Sequence, residues 1–238
     1  MRIVILRKQK ILLFLTAGLL MTLLLLNTWL DRSIPSLIRT PGTFYMIHTQ
    51  DKVVALTFDD GPDPLFTGSI LDILKKQQVK ASFFVLGEAA RSNPHLLSRM
   101  INEGHEIGNH GFTHNYTQHK LIEELTKTNQ AVFLATNTHT YFYRPPGGRI
   151  SKAQVQLIKD NGHVVTLWSL DSQDWLNPGP NRIIHNVIKA VFPGAIILLH
   201  DGGDKREQTV DALEQIIIEL RARGYRFVTL SELRSLDS

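Results

Sequence analysis

The chain has 238 residues, of which 43% are hydrophobic and 20% are charged, and it contains no cysteine. This composition predicts one globular domain of about 200 residues with an appendage, and it excludes disulfides, thiolate metal ligands and a cysteine nucleophile. Four of the 26 basic residues precede residue 11 and the other 22 balance the 22 acidic residues, so the net charge of +4 predicts no nucleic-acid-binding surface.

The N-terminal segment combines a basic cluster with a long apolar run. Residues 11–30, ILLFLTAGLLMTLLLLNTWL, carry no charge and are long enough to cross a bilayer as one helix. The basic residues before this run predict a cytoplasmic N-terminus and an exported remainder. A cleavable signal peptide is the alternative, but the length of the run and the lack of an A-x-A-like site favour an uncleaved anchor. Residues 31–50, with two prolines and a glycine, predict a linker to a domain over 51–238.

From residue 52 onward, strand-like runs alternate with helical patterns. The predicted strands are residues 52–58, 80–87, 105–110, 141–144, 163–170, 194–200 and 225–230. The predicted helices are residues 69–78, 93–104, 121–136, 151–162, 181–191 and 209–224. Asn93 and Ser151 are expected to act as N-caps. The alternation predicts parallel β/α units in an α/β fold, either a barrel or an open doubly wound sheet. No G-x-G-x-x-G follows a strand, which argues against a dinucleotide site.

Polar residues cluster where five of the predicted strands end. The clusters are Asp59-Asp60 after the first strand, His110 after the third, Arg144 at the end of the fourth, Asp171 and Asp174 after the fifth, and His200-Asp201 at the end of the sixth. In a β/α barrel the carboxyl ends of the strands converge on one face, where active sites are built. The pattern therefore predicts that these side chains share one site.

The segment TFDDGP, residues 57–62, allows two interpretations. Asp, Gly and Pro are common turn residues, so an isolated DDGP favours a polar turn with a local hydrogen bond. The functional alternative is a division of labour in which one aspartate binds a metal ion and the other acts as a base.

The segment that follows the third predicted strand contains two histidines at i, i+4 spacing, His110 and His114. They are either solvated loop residues or a metal-binding pair, and the spacing alone is a weak signal. With Asp60 they would form a His₂Asp set, which leaves positions for water or substrate and is typical of catalytic metal sites. Asn115 and His119 are interpreted as loop residues.

Three further segments each allow a structural and a functional interpretation. Arg144 in YRPPGG either fixes a carboxylate through paired hydrogen bonds or is a surface residue at a Pro-Gly turn. Trp175 in DSQDWL either stacks on a sugar ring or belongs to the core. His200 in LLHD is either a structural histidine or, if a carboxylate raises its pKa, a general acid.

Taken in order, TFDDGP, H-x-x-x-H, RPPGG, DSQDW and LLHD resemble the five motifs of the polysaccharide deacetylase family, also called the NodB homology domain or carbohydrate esterase family 4. The resemblance spans residues 50–232. It implies a distorted (β/α)₇ barrel and a divalent metal, usually Zn²⁺, with Co²⁺, Ni²⁺ and Mn²⁺ as alternatives. It also implies hydrolysis of N-acetyl or O-acetyl groups on a polysaccharide.

The resemblance implies a role for each residue that matches a motif. The implied catalytic residues are Asp59 as general base, Arg144 to orient it, His200 as general acid, Asp174 to tune His200, and Gly147 as a backbone donor to the oxyanion. The implied metal ligands are Asp60, His110 and His114, and the implied substrate contacts are Trp175 and Pro146.

Two positions depart from the family pattern. Gly111 stands where Ser or Thr is usual, so a hydroxyl that can tune metal affinity is missing, and Gly147 stands where an aromatic is common. The resemblance predicts a membrane-anchored, zinc-dependent N-deacetylase of cell-wall polysaccharide, most simply peptidoglycan. The alternatives are a chitooligosaccharide deacetylase, an O-acetyl esterase of the xylan type, and a non-catalytic glycan-binding relative.

Overall fold

Strands and helices alternate through the part of the chain that the computed structural model describes, residues 40–114 and 120–237. The strands are β1 (Val53–Asp59), β2 (Ser82–Val85), β3 (Glu106–Asn109), β4 (Phe142–Tyr143), β5 (Val164–Val165), β6 (Leu170–Asp171), β7 (Ala195–His200) and β8 (Arg226–Phe227). The α-helices are α1 (Phe66–Lys76), α2 (Gly87–Ser92), α3 (Pro94–Asn102), α4 (Leu121–Thr136), α5 (Lys152–Asp160), α6 (Pro180–Ala190), α7 (Glu207–Ala222) and α8 (Leu230–Ser235). Short 3₁₀ turns follow β4 (Pro146–Gly148) and β6 (Asp174–Leu176).

The strands form one parallel sheet in the order β5-β4-β3-β2-β1-β7-β6, and β8 pairs with the start of β1. The two edge strands, β5 and β6, are joined directly by residues 166–169. The backbone N–H of Thr166 donates to Tyr143 O in β4, and that of Ser169 donates to Ile196 O in β7. The chain thus passes from one edge of the sheet to the other without a helix, and the sheet curls into a half-barrel. The predicted α/β class is correct, and where the sequence predicts a distorted (β/α)₇ barrel the described residues form a parallel sheet curled into a half-barrel.

Two predicted strands differ most from the observed ones. The single strand expected over residues 163–170 is two short strands, because β5 pairs with β4 while β6 pairs with β7. The strand expected over residues 225–230 ends at Phe227. Thr229 begins a capping box with Glu232 that starts α8, a helix that the sequence pattern does not predict.

The expected N-caps have different outcomes. Ser151 accepts a hydrogen bond from the backbone N–H of Gln154, whose side chain accepts one from Ser151 in return, so the predicted cap of α5 is correct. Asn93 precedes α3 but does not cap it. Its side-chain amide donates instead to the carbonyls of Pro62 and Ala89, which leaves Asn93 tied to the turn after β1.

The compact unit begins at Thr40 and includes the second half of the predicted linker. Phe44 forms a bridge with Thr166 and Met46 forms one with Ala195, so this stretch lies between the β5 end of the sheet and the start of β7. The predicted membrane helix over residues 11–30 lies outside the described residues. Among the helices of residues 40–114 and 120–237, none has the length and apolarity needed to cross a membrane.

The strands β1 and β7 are buried on both faces, with side chains alternating at a period of two. Leu56 and Phe58 pack into the large core cluster between sheet and helices, whereas Ala55 packs into the smaller cluster inside the curl. Thr57 and Asp59 lie on the same face of β1 as Ala55. The alternation therefore directs the Asp59 carboxylate into the curl, at the carboxyl end of the central strand.

Candidate active site

Asp59 at the end of β1 is paired with Arg144, the first residue after β4. Nη1 of Arg144 lies 2.6 Å from Asp59 Oδ1 and 2.9 Å from Thr57 Oγ1. The guanidinium is fully buried between the rings of Phe84, 4.0 Å away, and Trp168, 5.6 Å away. Burial lowers the pKa of Arg144 and Asp59 opposes that shift, but a guanidinium remains charged in either case. Arg144 is thus an internal counter-ion and not a surface residue.

Asp60, His110 and His114 each bring one ligand atom to within 4.8 Å of the others. Nε2 of His110 and Nε2 of His114 lie 3.4 Å and 3.3 Å from Oδ1 of Asp60. This oxygen is buried, and the described residues supply no hydrogen-bond donor to it. Buried polar atoms are normally satisfied, so an unsatisfied carboxylate oxygen that faces two imidazole nitrogens fits a cation.

The hydrogen bond at the far side of the His110 ring fixes its tautomer. Nδ1 lies 2.8 Å from the carbonyl oxygen of Arg144, and because a carbonyl only accepts, Nδ1 carries the proton. In the neutral ring Nε2 therefore has its lone pair, and it faces Asp60. An imidazole oriented from behind by a carbonyl is the usual arrangement of a metal-binding histidine.

The charges in this cluster act on one another. Burial raises the pKa of Asp60, but the close contact with His110 and the charges of His110, His200 and His114 lower it by more, so the pKa lies far below its usual range. Burial lowers the pKa of His110, but Asp59 and Asp60 raise it overall. Burial and the neighbouring His110 lower the pKa of His114. The result is an ionised carboxylate beside imidazoles, which favours a bound cation.

Two of these residues have left-handed backbone conformations, with φ of +75° at Asp60 and +57° at His114. Non-glycine residues rarely adopt this region, which costs about 1–3 kcal/mol and is found at functional sites. At Asp60 the conformation has a clear consequence. Asp59 faces Arg144 and the adjacent Asp60 faces the two histidines, so one dipeptide supplies two carboxylates with different surroundings.

His200 at the end of β7 is paired with Asp174, which follows β6. Nδ1 of His200 lies 2.8 Å from Asp174 Oδ1. Asp174 is fully buried, and its Oδ2 accepts from Thr209 Oγ1 at 2.8 Å. Burial lowers the pKa of His200, but the charge and hydrogen bond of Asp174 raise it to about 9. The imidazole is thus protonated at neutral pH, and 13% of the side chain is exposed.

The two residues expected to contact substrate differ in exposure. Trp175 is half-buried and its indole N–H donates to Asp171 Oδ2 at 3.4 Å, so the ring does not belong to the core. Pro146 is buried, and Gly147 is exposed with φ of +61°. Gly147 lies three residues after Arg144 in the chain.

Asp201 is a buried residue of the site for which the sequence indicates no role. Its Oδ1 accepts from the backbone N–H of Gly61 at 3.1 Å, its Oδ2 accepts from Thr67 Oγ1 at 2.6 Å, and its own N–H donates to Asp59 O at 3.0 Å. Burial and the nearby carboxylates of Asp59 and Asp60 raise the pKa of Asp201 to about 7, against the hydrogen bonds of Thr67 and Gly61. Its place directly after His200 is the one signal in the sequence, and it indicates proximity without a function. The loop residues Asn115 and His119 lie outside the described residues.

Comparison with known proteins settles the family. Residues 47–166 match the polysaccharide deacetylase family. The chain belongs to this family. Its members include a peptidoglycan-N-acetylglucosamine deacetylase of Bacillus cereus that is 42% identical over 192 residues, which cover 79% of this chain and 90% of that protein. They also include the peptidoglycan-N-acetylmuramic acid deacetylase PdaA of Bacillus subtilis, 34% identical over 85% of this chain and 79% of that protein.

A solved structure of a family member has the same fold. It is the Bc1960 peptidoglycan N-acetylglucosamine deacetylase in complex with an N-hydroxybenzamide derivative. The two chains are 37% identical with a TM-score of 0.78, and the similarity covers 81% of this chain and 92% of the other. The predicted resemblance is thus confirmed, and the curled parallel half-barrel is a feature that this chain shares with its family.

Proposed function

We propose that this chain is a metal-dependent N-deacetylase of peptidoglycan. One observation supports this more than any other: the buried, unsatisfied Oδ1 of Asp60 faces His110 and His114, directly beside the carboxylate of Asp59. A three-ligand centre next to a separate carboxylate suits metal-assisted hydrolysis. The peptidoglycan deacetylases among its relatives support this substrate class.

The ion in this proposal is held by Asp60, His110 and His114. Imidazole and carboxylate ligands suit Zn²⁺ best, and Co²⁺, Ni²⁺ and Mn²⁺ are the alternatives. A divalent ion in such a site polarises the acetyl carbonyl and acidifies water. The residues around it carry out the proton transfers.

Asp59 is the general base in the proposed reaction. Arg144 holds Oδ1 at 2.6 Å, which leaves Oδ2 to accept the proton of the attacking water. The water oxygen adds to the acetyl carbon and the carbonyl oxygen becomes an oxyanion. The backbone N–H of Gly147 donates to this oxyanion in our proposal; its exposure and its place three residues after Arg144 in the chain support this role.

His200 is the general acid. Since Asp174 occupies Nδ1, the proton on Nε2 is the one transferred to the amide nitrogen as the C–N bond breaks. The net reaction adds one water and releases acetate and a free amine on the sugar. Of the two expected glycan contacts, Trp175 is the one we propose, because its half-buried ring can pack against a sugar ring, whereas Pro146 is buried.

The decisive experiment measures acetate released from peptidoglycan, from N-acetylglucosamine oligomers and polymers, and from acetylated xylan. We expect release from peptidoglycan that a chelator abolishes and added zinc restores. Preferential release from chitin oligomers would support the chitooligosaccharide alternative, and release from xylan would support an O-acetyl esterase. No acetate from any substrate with zinc bound would support a non-catalytic glycan-binding relative.

We propose that the catalytic domain acts outside the cell while the N-terminal segment anchors it in the membrane. The uncharged run over residues 11–30 and the basic cluster before it support this location. Mass spectrometry of the mature protein tests the proposal. A mature N-terminus between residues 30 and 40 would show a secreted enzyme instead.

A further inference from the structure

Side chains hold every backbone N–H group between the two candidate histidine ligands. The N–H of Gly111 donates to Asn109 Oδ1 at 2.8 Å. The N–H groups of Phe112 and Thr113 both donate to one oxygen, Oε2 of Glu124, at 2.7 Å each. The hydroxyl of Thr113 also lies 3.2 Å from each oxygen of Glu124. Side chains thus hold the N–H groups of this loop, residues 111–113, while the carbonyls of Gly111 and Phe112 accept at 3.0 Å from the backbone N–H groups of Gly87 and Glu88 in α2.

We infer that Glu124 is a positioning residue that sets the geometry of the metal centre by holding His114 in place. The inference rests on the metal site of the proposed function. Glu124 lies in the first turn of α4, which begins at Leu121. Hydrogen bonds from N–H donors to an ionised carboxylate are shorter and stronger than neutral ones, and both of these are short. The carboxylate thus ties the loop that precedes His114 to a long helix.

The second anchor of the loop leads to the same helix. The side-chain amide of Asn109 donates to Leu125 O at 2.9 Å and to Asn129 Oδ1 at 2.7 Å, and both partners belong to α4. His110 is fixed separately by its bond to Arg144 O. The position of His114 depends more on the loop, because its backbone is left-handed and a third of its side chain is exposed. Loss of the Glu124 anchor should therefore affect His114 first.

The arrangement explains how the centre is held without a hydroxyl at Gly111. A Cβ atom built on Gly111 would lie 3.7 Å from Glu124 Oε2, the same oxygen that accepts from Phe112 and Thr113. The carboxylate oxygen that a side chain at this position would face therefore already accepts two backbone hydrogen bonds. Glu124 holds the N–H side of the loop, together with Asn109, and α2 holds its carbonyl side, so the missing hydroxyl does not leave the loop unsupported.

The test compares Glu124→Ala with Glu123→Ala. Glu123 is the adjacent residue of α4, and among the described residues its one ion pair is an exposed one with Lys127, which makes it a matched control for charge and helix position. The zinc Kd of the purified full chain is measured by competition with a chelator. Residues that orient metal ligands typically change affinity 10–100-fold, so we expect a loss of about that size for Glu124→Ala. We expect no change for Glu123→Ala.

Two more variants keep the result interpretable if Glu124→Ala does not fold. Glu124→Gln retains an oxygen that accepts hydrogen bonds and should remain close to the parent chain. Glu124→Asp keeps the charge but withdraws it by one methylene, so it should weaken zinc binding and alter the visible spectrum of the cobalt form. Thermal unfolding of the metal-free variants checks that each is folded.

The outcomes separate this inference from the metal site itself. A parent chain that binds no zinc overturns the proposed metal centre and, with it, the role of Glu124. A parent chain that binds zinc while folded Glu124→Ala and Glu124→Asp bind it equally well overturns only the role of Glu124. Equal weakening by Glu123→Ala and Glu124→Ala also overturns it, because helix charge would then be the cause.

Discussion

Asp174 binds His200 through both of its carboxylate oxygens. Oδ1 lies 2.8 Å from the imidazole Nδ1, and Oδ2 lies 2.8 Å from the backbone nitrogen of the same residue. The carboxylate thereby fixes the ring orientation and keeps the ring protonated at neutral pH. On the other side of the site Arg144 holds Asp59 at 2.6 Å. Two buried ion pairs therefore favour an acid and a base that are ready at the same pH, as amide hydrolysis requires.

Removing the charge of Asp174 should change the pH dependence of catalysis. His200 must be protonated to act as an acid, so activity should fall as the pH rises through its pKa of about 9. Asp174→Asn lowers that pKa, and the alkaline limb of the kcat/KM profile should move to lower pH. Thr209→Val keeps the charge and removes only one hydrogen bond to Asp174, so its shift should be smaller. An alkaline limb that stays in place in Asp174→Asn would exclude His200 as the acid.

The grouping of the predicted site residues follows from the sequence because it depends on local rules. A period of two directs Asp59 inward, and the parallel order brings the carboxyl ends of strands together. The supporting contacts follow no such rule. Thr209 is hydrogen-bonded to Asp174, 35 residues away in the chain, and Asp201 is hydrogen-bonded to Gly61, 140 residues away. No sequence pattern around these residues indicates their partners. The break in the predicted strand over residues 163–170 has the same origin, since tertiary pairing with β4 and β7 decides it.

Truncation of Arg144 should destabilise the fold as well as abolish activity. Arg144→Ala leaves the carboxylate of Asp59 buried without its counter-ion. Removing one partner of a buried ion pair typically costs about 3–5 kcal/mol in the free energy of unfolding. Urea denaturation at neutral pH measures this loss, and Arg149→Ala, an exposed arginine of the next turn, is the control. A loss no larger than in the control would mean that Asp59 finds another partner.

Asp59 and Asp60 should separate catalysis from metal binding. Asp59→Asn removes the proposed base but none of the three candidate ligands, so the variant should bind zinc with the parent affinity. Its kcat should fall by about 100-fold or more, the usual contribution of a general base. Asp60→Asn should weaken zinc binding itself. Zinc content and deacetylation are measured on the same samples, and loss of zinc in Asp59→Asn would place Asp59 among the ligands.

Gly61 and Asp201 should be energetically coupled. A Cβ atom on Gly61 would lie 2.1 Å from Oδ2 of Asp201, so Gly61→Ala forces the turn and the carboxylate apart. In an Asp201→Ala background that clash is absent, and Gly61→Ala should cost less. Urea unfolding of both single variants and the double variant gives the coupling, which for residues in contact is about 0.5–3 kcal/mol. Strict additivity would show that Asp201 does not hold the turn after Asp59.

Placing a hydroxyl at position 111 by Gly111→Ser should not increase the stability of the protein. The φ of Gly111 is +82°, where an L side chain costs about 1–2 kcal/mol, so Gly111→Ser should lower the free energy of unfolding. Steric crowding contributes little, because the nearest atom to a Cβ atom there is 3.7 Å away. Gly162→Ser is the matched control, since its φ is +79° and a Cβ atom there meets no atom within 4 Å.

Comparing the two glycine variants isolates what the hydroxyl does beside Glu124. Equal losses of stability, with a zinc Kd unchanged by Gly111→Ser, would show that backbone conformation alone accounts for the effect. A smaller loss for Gly111→Ser would measure the new hydrogen bond to Glu124. A variant that is more stable than the parent chain and binds zinc more tightly would contradict us, because the missing hydroxyl would then be a deficit that Glu124 does not offset.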